Sequence, residues 1–449
     1  MSEQITEKLA TFTTEARFDN LPTEVKKQAA TSLLDWLGVA LVGSLEPPTK
    51  IISSLVSSGG KAEATIIGSG TKTSTLNAAL INGVAGHSVE LDDIHETAVI
   101  HPAAAVIPAA LSVAESQGVN GKQLLTAIVV GYEAAIRIGK AIMPTHYKFW
   151  HTTGTCGTFG AAAAAGSLLG LDKTAMEHAF GIAGTQAAGL IETFGTMSKP
   201  LNAGKASMNG VLAAMLAQKG FTGATQTLES EKGFCRATSE KVNLNKIVEK
   251  LGEEYEIVNC IIKRHASCGH THGAIDAVLQ ILNMHEIKTY LIDKVLVETY
   301  PIAVDVVGKN YEPKTVSEAK FSLPYCVAVA LAYGKAGLSE FSEEKLRDSK
   351  IKTLMKKVDI SVADEFKTKT LGAAKVTIYT RDGNKLEACV QKPKGYPDNP
   401  LSEEELKGKF IELARLVLPT DRVYEILEKI SKMETINDAR EFTNLLGTI

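Results

Sequence analysis

An excess of charge of one sign is what this 449-residue chain lacks: 48 Lys and Arg against 51 Asp and Glu leave a net charge of −3. Nucleic-acid binders show a basic face or stripe. No basic run or aromatic-interleaved patch occurs here, so no nucleic-acid partner is expected. Cysteine is sparse and irregular. Cys156, Cys235, Cys260, Cys268, Cys326 and Cys389 form no CxxC pair and no regular framework, which suits reduced thiols in a cytoplasmic enzyme. The opening MSEQITEKLATFTTEARF has neither a basic n-region nor an apolar h-region, so no secretory leader is expected. Each Ala-rich stretch is broken by charge, Gly or Pro before the roughly 18 apolar residues of a membrane span, so none is expected. A phosphate loop, a serine elbow and the Cys/His spacing of structural zinc are missing too.

What remains is ordinary globular composition, 45% hydrophobic and 22% charged, in a chain long enough for two or more domains. Residues 1–20 read as an amphipathic helix. Pro22 fits the first turn of a second, whose apolar face runs through Val25, Ala29, Leu33, Leu34 and Leu37. A strand-like ATII lies between the turns at Gly59-Gly60 and Gly68–Gly70. From Asn77 to about Gly220 the pattern is helix after helix: 103–115, 124–142, 160–169, 173–190 and 205–220. Rich in Ala and Gly, these helices predict a compact all-α domain.

After Lys263 the character changes. A loop, HASCGHTHG, leads into a helix. LIDKVLVETYPIAVDVV is rich in β-branched residues and reads as strand, FSLPYCVAVALAYG as helix, and KVDISVAD, AAKVTIYT and KLEACVQKPKG as strands. RDGN between the last two is a hairpin turn signal. Residues 264–395 therefore read as a smaller α+β domain, and residues 402–449 are helical again.

The densest chemistry lies in HSVELDDIHETAVIHP, His87 to Pro102. Its sixteen residues hold His87, His95, His101, Glu90, Asp92, Asp93 and Glu96, between two apolar, helix-type flanks. Charges are costly to bury unless paired or put to use, so this knot is a candidate active site, against a merely polar interhelix loop. Four further stretches carry candidates. In WHTTGTCGTFGAAAAAG, His151 stands at the mouth of a Gly-rich segment before a helix; the glycines suit either an anion at a helix N-terminus or close helix packing. Lys205 in KPLNAGKASMNG reads as the opening of a helix, where the dipole disfavours a cation, so it either grips a substrate carboxylate or is simply solvated. KRHASCGHTHGAIDA offers Cys268, His270 and His272 as metal ligands, or, with Lys263 and Arg264, a cationic lining for an anion. Tyr325 in FSLPYCVAVAL is a possible proton donor or a core tyrosine. Acids, imidazoles, lysines and a phenol together suit proton abstraction beside a carboxylate, with cations holding the substrate.

Five ordered blocks then carry a resemblance over nearly the whole chain: NGVAGHSVELDDIHETAVIHP, WHTTGTCGTFGAAAAAGSLLGLD, KPLNAGKASMNGVLAAMLAQKGFTG, KRHASCGHTHGAIDA and FSLPYCVAVAL. They resemble the MmgE/PrpD family, which includes 2-methylcitrate dehydratase, cis-aconitate decarboxylase and iminodisuccinate epimerase. The resemblance implies a mainly α fold, with a large all-helical domain made by both chain ends (1–263 and 396–449) and a smaller α+β lid domain (264–395). It also implies a homodimer, a small polycarboxylate substrate and no metal or organic cofactor. Carried over by motif, catalytic roles fall on Asp92, Asp93, His101, Lys205 and Tyr325, and substrate-binding roles on Glu90, His151, Lys263, Cys268 and His272. Three departures stand in the pocket. Glu90 replaces the usual Asp. Ile94 replaces the Thr of the decarboxylase branch, with the spacing to His101 one residue longer. Cys268 replaces that branch's histidine. The resemblance thus implies cofactor-independent proton chemistry on a di- or tricarboxylate, most of all of the 2-methylcitrate dehydratase kind. The alternatives are an epimerase, a decarboxylase or a non-catalytic carboxylate binder.

Overall fold

A computed structural model describes residues 4–368 and 371–448, and the fold is mainly α. Two compact units divide the chain: residues 1–262 with 402–449, and residues 263–401.

The first unit begins with α1 (Ile5–Glu15), α2 (Thr23–Gly43) and α3 (Pro47–Val56). A two-stranded ribbon of β1 (Ala64–Thr65) and β2 (Lys72–Thr73) follows. Then come α4 (Thr75–Ala85), α5 (Pro102–Gln117), α6 (Gly121–Ile142), α7 (Thr152–Leu168), α8 (Lys173–Gln186) and α9 (Ser198–Gln218). Pro22 stands one residue before α2, as its N-cap. α7 is the buried centre, packed by α5, α6, α8 and α9. Its small side chains explain how so many helices reach it. A Cβ on Gly160 would lie 2.6 Å from the Gly131 carbonyl oxygen, and one on Gly157 would lie 2.8 Å from Ala105 Cβ. Gly154, Gly157 and Gly160 thus lie inside the helix and serve packing, not a loop that cradles an anion. From the chain's other end, the helix Glu403–Ala414 packs on α2, with Phe410 and Leu413 against Gly38.

In the second unit a four-stranded sheet runs β4-β3-β5-β6: β3 (Ile292–Thr299), β4 (Val358–Val362), β5 (Ala374–Thr380) and β6 (Lys385–Val390). β3 pairs parallel with β4 and antiparallel with β5, and β5–β6 is the hairpin that RDGN turns. The helix His272–Met284 covers β5 and β6, and Leu323–Tyr333 packs on that helix. The β-branched run predicts a first strand that continues through PIAVDVV. The structure ends it at Thr299 and makes Pro301–Val307 a helix, because a proline has no N–H for the ladder but suits a helical first turn. Among the described residues no single helix is long and apolar enough to cross a membrane.

Candidate active site

The acidic loop between α4 and α5 is held by short backbone ties. His95 N–H donates to the Ile100 carbonyl at 2.8 Å, and Ile94 pairs with Ile261 in both directions at 3.0 and 2.8 Å. The loop turns through two left-handed non-glycine residues, Glu90 (φ 60°) and Val99 (φ 46°). Such conformations cost free energy in L residues and persist only where the surroundings impose them. His87, Asp92, Asp93 and His95 are all buried as a result.

Two imidazoles meet at one carboxylate. His87 Nδ1 lies 2.6 Å from Asp92 Oδ2, both side chains being fully buried. His101 Nδ1 lies 2.7 Å from the Asp93 carbonyl oxygen and 3.4 Å from the same Asp92 Oδ2. A carbonyl can only accept, so the proton of neutral His101 sits on Nδ1, and Nε2 is its basic atom. His101 is also the N-cap of α5, where its own N–H donates to Thr153 Oγ1 at 3.1 Å. Its side chain is 13% exposed while Asp92 and His87 are at 0%, so His101 is the member of this trio open to a small molecule. His87 sits between two further rings, 4.9 Å from His101 and 5.5 Å from His151. His151 Nδ1 accepts from Asn202 Nδ2 at 3.3 Å. Burial, reinforced by His87, Lys199 and His101, holds its pKa well below the ordinary range and keeps the ring neutral.

Asp92 and Asp93 are separated by their surroundings. Asp93 Oδ1 accepts from the Ala103 N–H in the first turn of α5 at 3.2 Å, and Oδ2 accepts from the Tyr132 phenol on α6 at 2.8 Å. Burial, followed by the charge of Asp92, pushes its carboxyl up to about 8, against the lowering effect of Tyr132. Asp93 therefore ties helices together and offers its carbonyl to His101, while Asp92 faces the imidazoles.

The cation in this cluster is Lys199. It stands in the first turn of α9, pairs with Glu90, and lies 5.3 Å from the centre of the Phe194 ring. Lys205 sits mid-helix, two turns further along α9, and is exposed. The premise that it opens a helix is corrected: α9 starts at Ser198, so the unfavourable first-turn cation is Lys199. The sequence pattern places His87 in the knot but singles out neither Lys199 nor the fixing partners Asn202 and Tyr132.

In the second unit Lys263 and His272 are buried and Cys268 is half-buried. His272 Nε2 donates to the Ser267 carbonyl at 3.3 Å, and its pKa is driven well below the ordinary range by burial. His265 Nε2 binds Asp276 at 2.8 Å, and Asp276 also accepts from the Lys394 N–H at 2.7 Å. His270 meets the Tyr300 hydroxyl at 2.7 Å, so His270 and His272, offered as metal ligands, are both engaged in hydrogen bonds. Tyr325 is buried on Phe341, with its hydroxyl donating to the Glu340 carbonyl at 3.0 Å and its pKa raised by burial. That places the phenol in a core contact. Among the described residues, the donor atoms grouped tightly enough to hold a metal ion are those of His87, Asp92 and His101, within 4.8 Å of one another. Nδ1 of both rings is already committed, to Asp92 and to the Asp93 carbonyl, which is the pattern of a proton-handling dyad.

A solvent-reaching imidazole backed by a buried carboxylate, with a lysine alongside, is the equipment of acid–base enzymes. Comparison with known families gives the class: residues 7–246 match the MmgE/PrpD N-terminal domain and residues 265–434 the C-terminal domain, and the chain belongs to the MmgE/PrpD family of lyase-type enzymes. Among curated relatives, a cis-aconitate decarboxylase-like protein of Aspergillus oryzae, oryM, is 29% identical over 99% of this chain and 97% of its own. Cis-aconitate decarboxylase of Aspergillus terreus is 30% identical over 99% and 96%, and that of Homo sapiens 27% over 99% and 95%.

Proposed function

We propose that this enzyme is a lyase acting at the carbon beside a carboxylate of a small polycarboxylate, with decarboxylation of a cis-aconitate-type acid as the first reading. The observation that carries the acid–base part is the setting of His101. Its Nδ1 is fixed by the Asp93 carbonyl and Asp92, so Nε2 is the atom that takes or gives a proton. Asp92 stabilises the imidazolium formed when Nε2 is protonated. Lys199 anchors a substrate carboxylate, and His151, kept neutral, adds a hydrogen bond rather than a charge. In decarboxylation the bond to the departing carboxylate breaks, and its electron pair spreads through the double bond into a neighbouring carboxyl group. His101 then delivers the proton that quenches the carbanion.

The choice of a decarboxylase rests on full-length similarity to enzymes of that name. Dehydration of a 2-methylcitrate-type hydroxy acid is the second reading. It is favoured by two imidazoles sharing one carboxylate, since dehydration needs both a base for the α-proton and an acid for the leaving hydroxyl. Proton NMR in deuterated water with cis-aconitate, 2-methylcitrate, citrate and iminodisuccinate separates the outcomes. Carbon dioxide with a new methylene signal from cis-aconitate supports the first reading, and a vinyl product from a hydroxy acid the second. Deuterium at the α-carbon without net product would mean an isomerase. Silence with every compound would overturn the enzymatic proposal in favour of a carboxylate binder.

A further inference from the structure

Lys199 and Glu90 are each placed against local preference. Lys199 puts a cation into the first turn of α9, where the helix dipole opposes it. Glu90 carries its side chain on a left-handed backbone, φ 60°, which suits glycine and costs free energy in glutamate. These two costs meet in one ion pair whose side chains are only 8% and 15% exposed. A pair built only for stability needs neither placement, since apolar residues of similar volume do as well or better in such a setting.

We propose that Glu90 is a carboxylate stand-in: when the site holds no substrate it occupies on Lys199 the place that a substrate carboxylate takes. A buried cation reserved for a ligand needs compensation while it waits, and Glu90 supplies it from a loop rather than from a helix. Binding is then an exchange of one carboxylate for another, and the displaced Glu90 charge repels each further negative group that the ligand brings. Glu90 thereby determines specificity for charge number. It biases the site against the most highly charged acids and sharpens the choice among polycarboxylates of similar shape. The resemblance implied a substrate-binding Glu90; here its role is to compete with the substrate.

This inference rests on Lys199 as the carboxylate anchor, and the experiment tests the two separately. The probe is propane-1,2,3-tricarboxylate, which has neither hydroxyl nor double bond to react, with its monocarboxylate analogue butyrate as reference, by titration calorimetry. E90Q keeps the size and removes the charge. Its affinity for butyrate should rise as the competing carboxylate is lost, and that for the tricarboxylate should rise further, about tenfold, because repulsion of its other two carboxylates goes as well. E90G, which also relieves the backbone, should behave as E90Q does and serves if E90Q folds poorly. K199M should lose tricarboxylate binding, and the double variant E90Q/K199M, with no unpaired buried charge, checks that this loss is not unfolding. Retained binding in K199M overturns the anchor itself. Binding lost in K199M but unchanged or weakened in both E90Q and E90G overturns the stand-in and leaves the anchor in place.

Discussion

Asp92 and Asp93 share a peptide bond, yet one faces two imidazoles and the other a phenol and a helix N-terminus. Asp92→Asn should lower kcat by about 10²–10⁴-fold, the usual weight of assisted proton transfer, as should His101→Asn. A retained rate in either variant would remove the dyad from the chemistry. Asp93→Asn should act mainly on stability. The unfolded carboxyl titrates near 3.8 and the folded one near 8. Below about pH 4 both states hold the proton. From there to about pH 8 the unfolded chain releases it while the fold retains it, so stability falls as pH rises through that window and levels off above it. Asparagine, which cannot ionise, should flatten this slope, so melting temperatures at pH 5 and pH 8 should lie closer together than in the parent. An unchanged slope would show that Asp93 is ionised in the fold. At the same scale, Lys199→Met should raise KM for a polycarboxylate at least tenfold, whereas the exposed Lys205→Ala should stay within about twofold, because solvated charges contribute little.

Helices α5, α6, α7 and α9 owe their close approach to residues without bulk. Gly160→Ala would press a methyl group against the Gly131 carbonyl and Ala135 Cβ, at 2.6 and 2.7 Å. Both are held in packed helices that cannot give way, so the substitution should destabilise by about 1–3 kcal/mol. Thermal melting reads this, and an unshifted midpoint would mean that the helices separate freely. The limits of the sequence reading also lie at this scale. α8 was placed at its true start, Lys173, where Asp172 provides a capping side chain that accepts from the Ala175 N–H at 2.8 Å. α7 and α9 were begun too late, at 160 and 205 rather than 152 and 198. Their N-caps, His151 and Met197, make no side-chain cap, so nothing local marks the first turn. The late start hides Lys199: the cation that the dipole of α9 opposes is Lys199 in the first turn, not Lys205. The imidazole–carboxylate knot was legible from its density of titratable groups. Which aspartate faces which ring was not, because that depends on α5 and α6 packing across the loop. In the second unit the strand reading and the RDGN turn mark β5 and the start of β6, but the ladder ends at Val390, short of the QKPKG that the reading included.

Across the first unit, the last fifty residues complete what the first hundred begin. Lys409, on the helix Glu403–Ala414, donates to Asp35 on α2 at 2.6 Å and to the Leu91 carbonyl at 3.2 Å, with side-chain exposures of 11% for Lys409 and 2% for Asp35. Lys409→Ala would leave Asp35 buried without this partner, which costs about 3–5 kcal/mol. Denaturant unfolding should show a loss of that order, and kcat should fall as well, because Leu91 immediately precedes Asp92. A stability loss with kcat unchanged would show that the loop is held without this tether.

That tether spans 318 positions of sequence. On the ribosome, synthesis runs from the N-terminus, so a growing polypeptide carries His87, Asp92 and His101 into the cell long before Lys409 is translated. The reactive loop's ties to Ile261 and within itself can form first, and the fastening at the Leu91 carbonyl waits until Lys409, 318 residues later, has been made.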